Sequence, residues 1–374
     1  MLMWANIFGT AFLAAGAALA YLVSRFYRFH FLEKMARGKK PVRILLAILC
    51  VTVITAGITL AMGAVNTIIC LLHLAVFWLL ADLIFRLIAK SGKRFTRAYY
   101  AGGFAIVITV CYLTAGWILV HGVWETDYVI GTAKEAGKEG LRIVQFADSH
   151  MGTTFSGEEF SKYVQEMQDA NPDVVLITGD FVDDGTSKAD MIAACQALGN
   201  FHTTYGVYFA FGNHDKGYYA DSYRGYGAAE LISELEKNGV TVLQDETVAL
   251  GDNFYLIGRQ DRSEKTDRGG SRASMAELTA DLDPSKFTIV MDHQPCDYEN
   301  QKDAGVDLVL SGHTHGGQLI PLNLMGPMVS QNDQIYGMEQ RENTNFIVTS
   351  GISDWAIQFK TGCHSEYVVI DIQG

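Results

Sequence analysis

Four apolar runs, each near the ~20 residues a helix needs to cross a hydrocarbon core, fall within the first 123 positions of this 374-residue chain. They span about residues 4–23, 44–63, 67–84 and 101–123 and predict a transmembrane region of four helices. The third contains His73 and ends near Asp82, which stands four residues before Arg86 and can pair with it on one helix face. The first lacks a basic leader and is followed by Arg25 and Arg28, a stop-transfer flank rather than the end of a cleaved signal.

Charge divides the chain at the same place. Residues 1–123 carry twelve Lys/Arg against only Glu33 and Asp82, whereas the remainder carries seventeen against thirty-nine acids. An apolar, basic part is thus followed by an acidic, water-soluble one. Nucleic acid is not an expected partner, because binding it needs clustered Lys/Arg to neutralise phosphates. The lipid bilayer is.

Loop charge gives an orientation. Arg25, Arg28, Lys34, Arg37, Lys39, Lys40 and Arg43 lie between the first two runs; Lys90, Lys93, Arg94 and Arg97 lie before the fourth; residues 64–66 are uncharged. Basic loops face the cytoplasm. Four crossings then predict a multi-pass protein of the cell membrane with its large domain extracytoplasmic.

Residues 124–140, polar and punctuated by Gly131, Gly137 and Gly140, read as a linker. Over 141–374 short apolar runs alternate with helical patterns, which predicts an α/β domain whose sheets are covered on both faces. The six cysteines are scattered, without CxxC spacing, and form no disulfide framework.

Chemistry-bearing residues cluster where the apolar runs end. The segments are Ala147-Asp148-Ser149-His150, Gly179-Asp180-Phe181-Val182-Asp183, Gly212-Asn213-His214-Asp215, Asp292-His293-Gln294-Pro295 and Gly312-His313-Thr314-His315. Open α/β sheets place their sites at the C-terminal edge of strands. One such residue is explained as a cap or turn; five occurrences, with histidine recurring, are not. Asp, Asn and His donors suit divalent ions such as Mn²⁺, Fe²⁺, Zn²⁺ or Mg²⁺. The seven candidates Asp148, His150, Asp180, Asn213, His293, His313 and His315 exceed what one ion uses.

In order and spacing these motifs resemble those of the calcineurin-like metallophosphoesterases over roughly residues 141–372. The extended Gly-His-Thr-His-Gly-Gly-Gln, with Thr349-Ser350-Gly351-Ile352, looks most like the bacterial membrane-associated phosphodiesterase branch. The resemblance implies two mixed β-sheets packed face to face and flanked by helices. It implies two divalent metal ions, one held by Asp148, His150 and His315, the other by Asn213, His293 and His313, with Asp180 bridging. A hydroxide between them would attack a phosphodiester or phosphomonoester; lipid, cell-envelope or nucleotide substrates fit the membrane location. His214 would stabilise charge or protonate the leaving oxygen, with Asp215 orienting it, and Asp183 would hold the loop or a ligand histidine. A silent binding or scaffold module on the same fold is the alternative. The basic stretch Arg259–Arg272 suggests either a flap for an anionic group or a solvated loop.

Overall fold

The computed structural model describes residues 2–90, 99–134 and 140–374. They divide into two compact units, one running to Gly116 and including Ala356–Gln358, the other comprising Trp117–Trp355 and Phe359–Gly374. The expected basic residues Lys93, Arg94 and Arg97, and residues 135–139 of the expected linker, lie outside the described residues.

The N-terminal helices are Leu2–Phe26, His30–Met35, Lys40–Lys90 and Tyr100–His121. Among the described residues two of them, Lys40–Lys90 and Tyr100–His121, are long and apolar enough to cross a membrane, not the four expected; Phe12–Phe26 is a shorter apolar segment. The expected second and third segments both fall within the 51-residue element Lys40–Lys90, with no loop between them. Its axis nevertheless breaks at Gly63, whose φ of 79° and ψ of 172° are not helical. Eight residues of straight helix would separate Thr59 from Thr67 by about 12 Å, yet their hydroxyls lie 3.0 Å apart. Asp82 also pairs differently from the expectation. It takes Arg25 Nη1 at 2.7 Å and the Tyr99 hydroxyl at 2.8 Å, so it ties three segments together rather than closing onto Arg86.

The second unit contains twelve strands: β1 (Val123–Gly131), β2 (Leu141–Phe146), β3 (Val174–Thr178), β4 (Val207–Ala210), β5 (Val240–Leu243), β6 (Glu246–Leu250), β7 (Phe254–Gly258), β8 (Phe287–Met291), β9 (Leu308–Ser311), β10 (Gly337–Arg341), β11 (Thr344–Val348) and β12 (Ser365–Gln373). They form two six-stranded sheets, ordered β1-β12-β2-β3-β4-β5 and β10-β11-β9-β8-β7-β6. Both are mixed: β2 to β5 run parallel with β12 antiparallel beside β2, and β7, β8, β9 and β11 run parallel between antiparallel β6 and β10.

Residues 123–131 are therefore strand, not linker. β1 lies parallel to β12 from Val123↔Ser365 to Gly131↔Gln373. Glu125, Asp127 and Val129 face outward while Tyr128 and Ile130 reach the core between the sheets. The charges on the outer positions gave this half-buried edge strand the composition of a loop.

Side-chain alternation builds the layers. Ile143 of β2 and Leu176 of β3 meet Leu256, Ile289 and Leu310 of the second sheet in one buried cluster. Their neighbours Val144, Phe146, Val175 and Ile177 point the other way, onto Phe160, Val164, Met191 and Leu231 of the outer helices. Gln145 is the polar exception in the middle; its amide donates to Thr178 Oγ1 at 3.0 Å and to Ser311 O at 3.2 Å, joining the sheets. This packing brings the C-terminal ends of β2, β3 and β4 against those of β8 and β9. Truncating Ile289 to Ala in the layer between the sheets is expected to cost about 2–5 kcal/mol, seen as a lower denaturation midpoint; an unchanged midpoint would contradict that layer.

Candidate metal centre

Each candidate ligand follows the end of a parallel strand: Asp148 and His150 after β2, Asp180 after β3, Asn213 after β4, His293 after β8, and His313 and His315 after β9. Their donor atoms converge into two groups. Asp148, His150 and His315 offer atoms all within 4.8 Å of one another, and so do Asp180, His293 and His313. Asp180 Oδ2 lies 3.0 Å from His293 Nε2 and 3.8 Å from His150 Nε2, so this carboxylate faces both groups. Asn213 Oδ1 lies 2.8 Å from His313 Nδ1, beside the second.

This convergence demands unusual backbone. Asp148, His150, Asp180, His313 and His315 all have φ between 38° and 72°, a region costly for residues other than glycine. The turns are held by buried bonds: Asp148 N–H to Gly179 O at 3.0 Å, His150 N–H to Asp180 O at 3.1 Å, and His313 N–H to Asp148 Oδ2 at 2.9 Å. Gly179 and Gly212 allow the β3 and β4 loops to touch. A Cβ on Gly179 would stand 2.5 Å from Gly212 N, and one on Gly212 would stand 2.2 Å from Asp180 Oδ1.

The imidazoles are oriented from behind. His150 Nδ1 faces Asp183 Oδ2 at 3.1 Å and His293 Nδ1 faces Thr178 O at 2.8 Å. These acceptors call for the proton on Nδ1, which leaves the Nε2 lone pair aimed into the cluster, the arrangement that fixes metal-binding histidines. Both Nε2 atoms are buried; that of His150 makes no hydrogen bond within the protein, and that of His293 faces only the Asp180 carboxylate. A buried ring nitrogen without a donor is what a cation site looks like, and the oxygen and imidazole donors fit divalent ions.

The expectation for Asp215 is corrected. Its carboxylate does not orient His214 but accepts the backbone N–H groups of Asp180 (2.8 Å), Phe181 (2.8 Å), Val182 (3.1 Å) and Gly212 (2.6 Å). Both oxygens are spent on shaping the Asp180 loop. The His214 ring instead lies among aromatic neighbours, with centroids 5.1 Å from His150, 5.2 Å from Tyr218 and 5.2 Å from Trp355. The basic stretch is no free flap either. Arg259 pairs with Asp292 at 2.9 Å and Asp297 at 2.7 Å, Arg272 pairs with Asp292 at 2.5 Å, and Arg268 donates to Asn213 O and Gly217 O.

Two further residues support the centre without having stood out in the sequence. Asp354 Oδ1 lies 3.3 Å from His315 Nδ1, behind that ring. Lys360 is fully buried, its Nζ held by Ser350 O (2.6 Å), Ser353 O (3.0 Å) and Ser365 Oγ (3.2 Å), with no carboxylate at ion-pair distance among the described residues. It closes the loop whose Gly351 packs on Asp148. Neither residue belongs to a ligand motif; the nearby Thr349-Ser350-Gly351-Ile352 was the available signal.

Electrostatics follow from dense burial. Burial raises the Asp148 carboxyl to about 6, opposed by His293 and reinforced by Asp180. Burial also raises Asp180, but His293 and His214 outweigh it and hold that carboxyl well below its usual range. For Asp183 burial is likewise outweighed, by the hydrogen bond and charge of His150. Burial pushes Asp354 up to about 7, against Lys360. It pulls the His214 imidazole down by more than the Asp180 charge lifts it, so this ring is neutral at pH 7.

Two measurable consequences follow. Asp183→Asn removes the acceptor behind His150 and is expected to weaken divalent-cation affinity about 10–100-fold in titration calorimetry, with the fold intact; unchanged affinity would deny Asp183 that role. Cation binding also requires Asp148 to shed its proton, so affinity is expected to fall as pH drops through about 6. On metal-free folding the sign reverses. A raised carboxyl pKa means the native state binds the proton more tightly than the unfolded chain, so this contribution is full below the ordinary carboxyl value of 3.8 and is lost as pH rises through about 6. Titrations and melts between about pH 4 and 7 read both trends.

Residues 141–317 match the calcineurin-like phosphoesterase family. An uncharacterized metallophosphoesterase of Campylobacter jejuni is 29% identical over 312 residues, 82% of this chain and 79% of that protein. A transmembrane protein with metallophosphoesterase domain of Danio rerio is 31% identical over 236 residues, 61% of this chain and 52% of that protein. An uncharacterized metallophosphoesterase of Aquifex aeolicus is 31% identical over 194 residues, 51% of this chain and 69% of that protein. The matched segment carries all seven candidate ligands on the strand ends just described, and the chain belongs to the calcineurin-like metallophosphoesterase family.

Proposed function

We propose that this chain is a membrane-anchored phosphoesterase of the bacterial membrane-associated phosphodiesterase type, hydrolysing a phosphodiester or phosphomonoester at a two-metal centre. The observation that carries the reading is the pair of buried Asp/His clusters, with Nε2 of His150 and His293 turned toward the Asp180 carboxylate that faces both. Asp148, His150 and His315 would hold one cation, Asn213, His293 and His313 the other, and Asp180 both. When bound, two divalent ions a few ångströms apart polarise a phosphoryl group and make water acidic enough to attack at neutral pH.

The side chains around that pair do the rest. Asp183 and Thr178 O keep the proton on Nδ1 of His150 and His293, so that their Nε2 atoms stay free. Asp215 fixes the loop that presents Asp180, whose Oδ1 in turn accepts the His214 N–H at 2.8 Å. The His214 ring stands beside the clusters and is free to hydrogen-bond a phosphoryl oxygen or pass a proton to the leaving oxygen.

The N-terminal helices would hold this domain at a bilayer; the Danio rerio relative is named a transmembrane protein. Lys90, Lys93, Arg94 and Arg97 precede Tyr100–His121. If that helix crosses with its basic flank in the cytoplasm, the domain following it lies outside.

Asp180→Asn is expected to abolish hydrolysis of 4-nitrophenyl phosphate and bis(4-nitrophenyl) phosphate and to lower bound metal. His214→Ala is expected to cut kcat about 10²–10⁴-fold with metal content unchanged. Activity surviving both substitutions would reject the mechanism, and absence of hydrolysis by the metal-loaded unsubstituted protein would favour a non-hydrolytic binding module. For the anchor, the full chain should resist alkaline extraction from membranes and show a C-terminal tag to reagents outside intact cells. A shielded tag would reverse the orientation.

A further inference from the structure

Residues 316–332, which begin directly after the ligand His315, contain no charged side chain, although residues 124–374 as a whole carry thirty-nine acids and seventeen bases. Leu319 of this segment is buried, but its neighbours are not. Ile320, Leu322, Leu324 and Met325 are 47, 52, 73 and 42% exposed. Single exposed apolar residues need no explanation, but a contiguous set beside a reactive centre does.

This segment is not a loose loop. Ile320 N–H donates to Thr361 Oγ1 at 3.0 Å, Thr361 N–H donates to Gln318 O at 2.8 Å, and the Asn323 amide reaches Gly362 O. It is thereby fixed against the same loop that places Asp354 behind His315 and Trp355 beside His214. Trp355 is itself 40% exposed and Tyr218, on the other side of His214, 52%. Exposed hydrocarbon and aromatic surface thus borders the phosphoryl centre, and Arg268, the cation nearest Tyr218, is committed to backbone carbonyls.

We propose that this surface takes the hydrocarbon part of an amphiphilic phosphoester whose phosphate sits at the metal centre. The inference rests on the phosphoesterase reading and adds the substrate class. Three observations select hydrocarbon over a sugar or polyphosphate. The segment lacks charge in an otherwise acidic domain, it follows the candidate ligand His315 directly and is bonded to Thr361 and Gly362, and the same chain carries helices able to enter a bilayer, where such esters reside. Hydrocarbon removed from water against these side chains contributes binding in proportion to its length.

The test uses the full-length, Mn²⁺-loaded protein in dodecyl maltoside, with whichever of 4-nitrophenyl phosphate or bis(4-nitrophenyl) phosphate it hydrolyses. Octyl phosphate, methyl phosphate and AMP are compared as inhibitors. The expected result is inhibition by octyl phosphate about tenfold or more stronger than by either of the others. In the double variant Leu322→Ser, Leu324→Ser that preference should shrink to about threefold or less, with bound metal and melting temperature unchanged. Partition into detergent is common to both proteins and cancels. Equal inhibition by octyl and methyl phosphate, a preference that survives the double substitution, or strongest inhibition by AMP would overturn the proposal, the last pointing to a base stacked on Tyr218 and Trp355. Absence of any hydrolysis would sink the phosphoesterase reading instead. Calorimetry of octyl against methyl phosphate on the same protein then reads the chain-length preference by itself, and no preference there would overturn this proposal too.

Discussion

The centre depends on a carboxylate that faces backbone rather than the clusters. Asp215 collects four amides from two loops, three of them the consecutive N–H groups of Asp180, Phe181 and Val182 and the fourth that of Gly212. A loop that turns Asp180 into the left-handed region would otherwise leave those donors buried and unsatisfied, at a cost of about 1–3 kcal/mol apiece. With the amides gathered, the strained conformation becomes the stable one, and Asp180 is held where both histidine groups reach it. The close approach of Gly179 and Gly212 is the steric counterpart of the same arrangement. Strain at the ligand positions is therefore paid for by hydrogen bonds just behind them.

Charge around the centre is managed by the same division between front and back. At the front, Asp148 and Asp180 stand close enough that burial and mutual repulsion raise the first while the histidines hold the second down. Behind them, Asp292 is neutralised by Arg259 and Arg272, which fixes the start of the His293 loop. Lys360 brings a buried positive charge to the loop under Asp148, its ammonium satisfied by oxygens alone. A buried charge tolerates this only when its donors are all met. Cations at the front would relieve the remaining repulsion between carboxylates.

The legibility of these parts in the sequence differs for physical reasons. The convergence of the seven candidate ligands could be read directly, because residues of unusual chemistry stood at the ends of apolar runs and a parallel sheet has to present those ends together. The partner of Asp215 could not. A carboxylate beside a histidine in sequence suggests a side-chain pair, whereas the turn after β4 directs it to amides thirty-odd residues earlier. Asp354 and Lys360 were silent because their roles arise from a loop folding back across β2, which no local spacing reports. β1 was hidden by its outward charges. Hydropathy placed the end of its second apolar run at Gly63, where Lys40–Lys90 breaks, but not that the break occurs without an intervening loop.

The Arg259–Arg272 stretch shows how a charge pattern can mislead about ligands. Its arginines suggested an anion site, yet those at 259 and 272 are turned inward onto Asp292, and Arg268 onto two carbonyls. A guanidinium already bound in this way has little left to offer a phosphate, since its fork of donors is occupied and moving it would strand a buried carboxylate. The uncharged, exposed segment after His315 is the opposite case. The side chains of Ile320, Leu322 and Leu324 keep about half or more of their surface exposed, so a water-excluding partner would gain there what an anionic one could not gain at the arginines. Under the proposed reading, recognition at this centre would be divided: polar contacts at the strand ends for the phosphoryl group, and apolar surface beside them for what the phosphate is attached to.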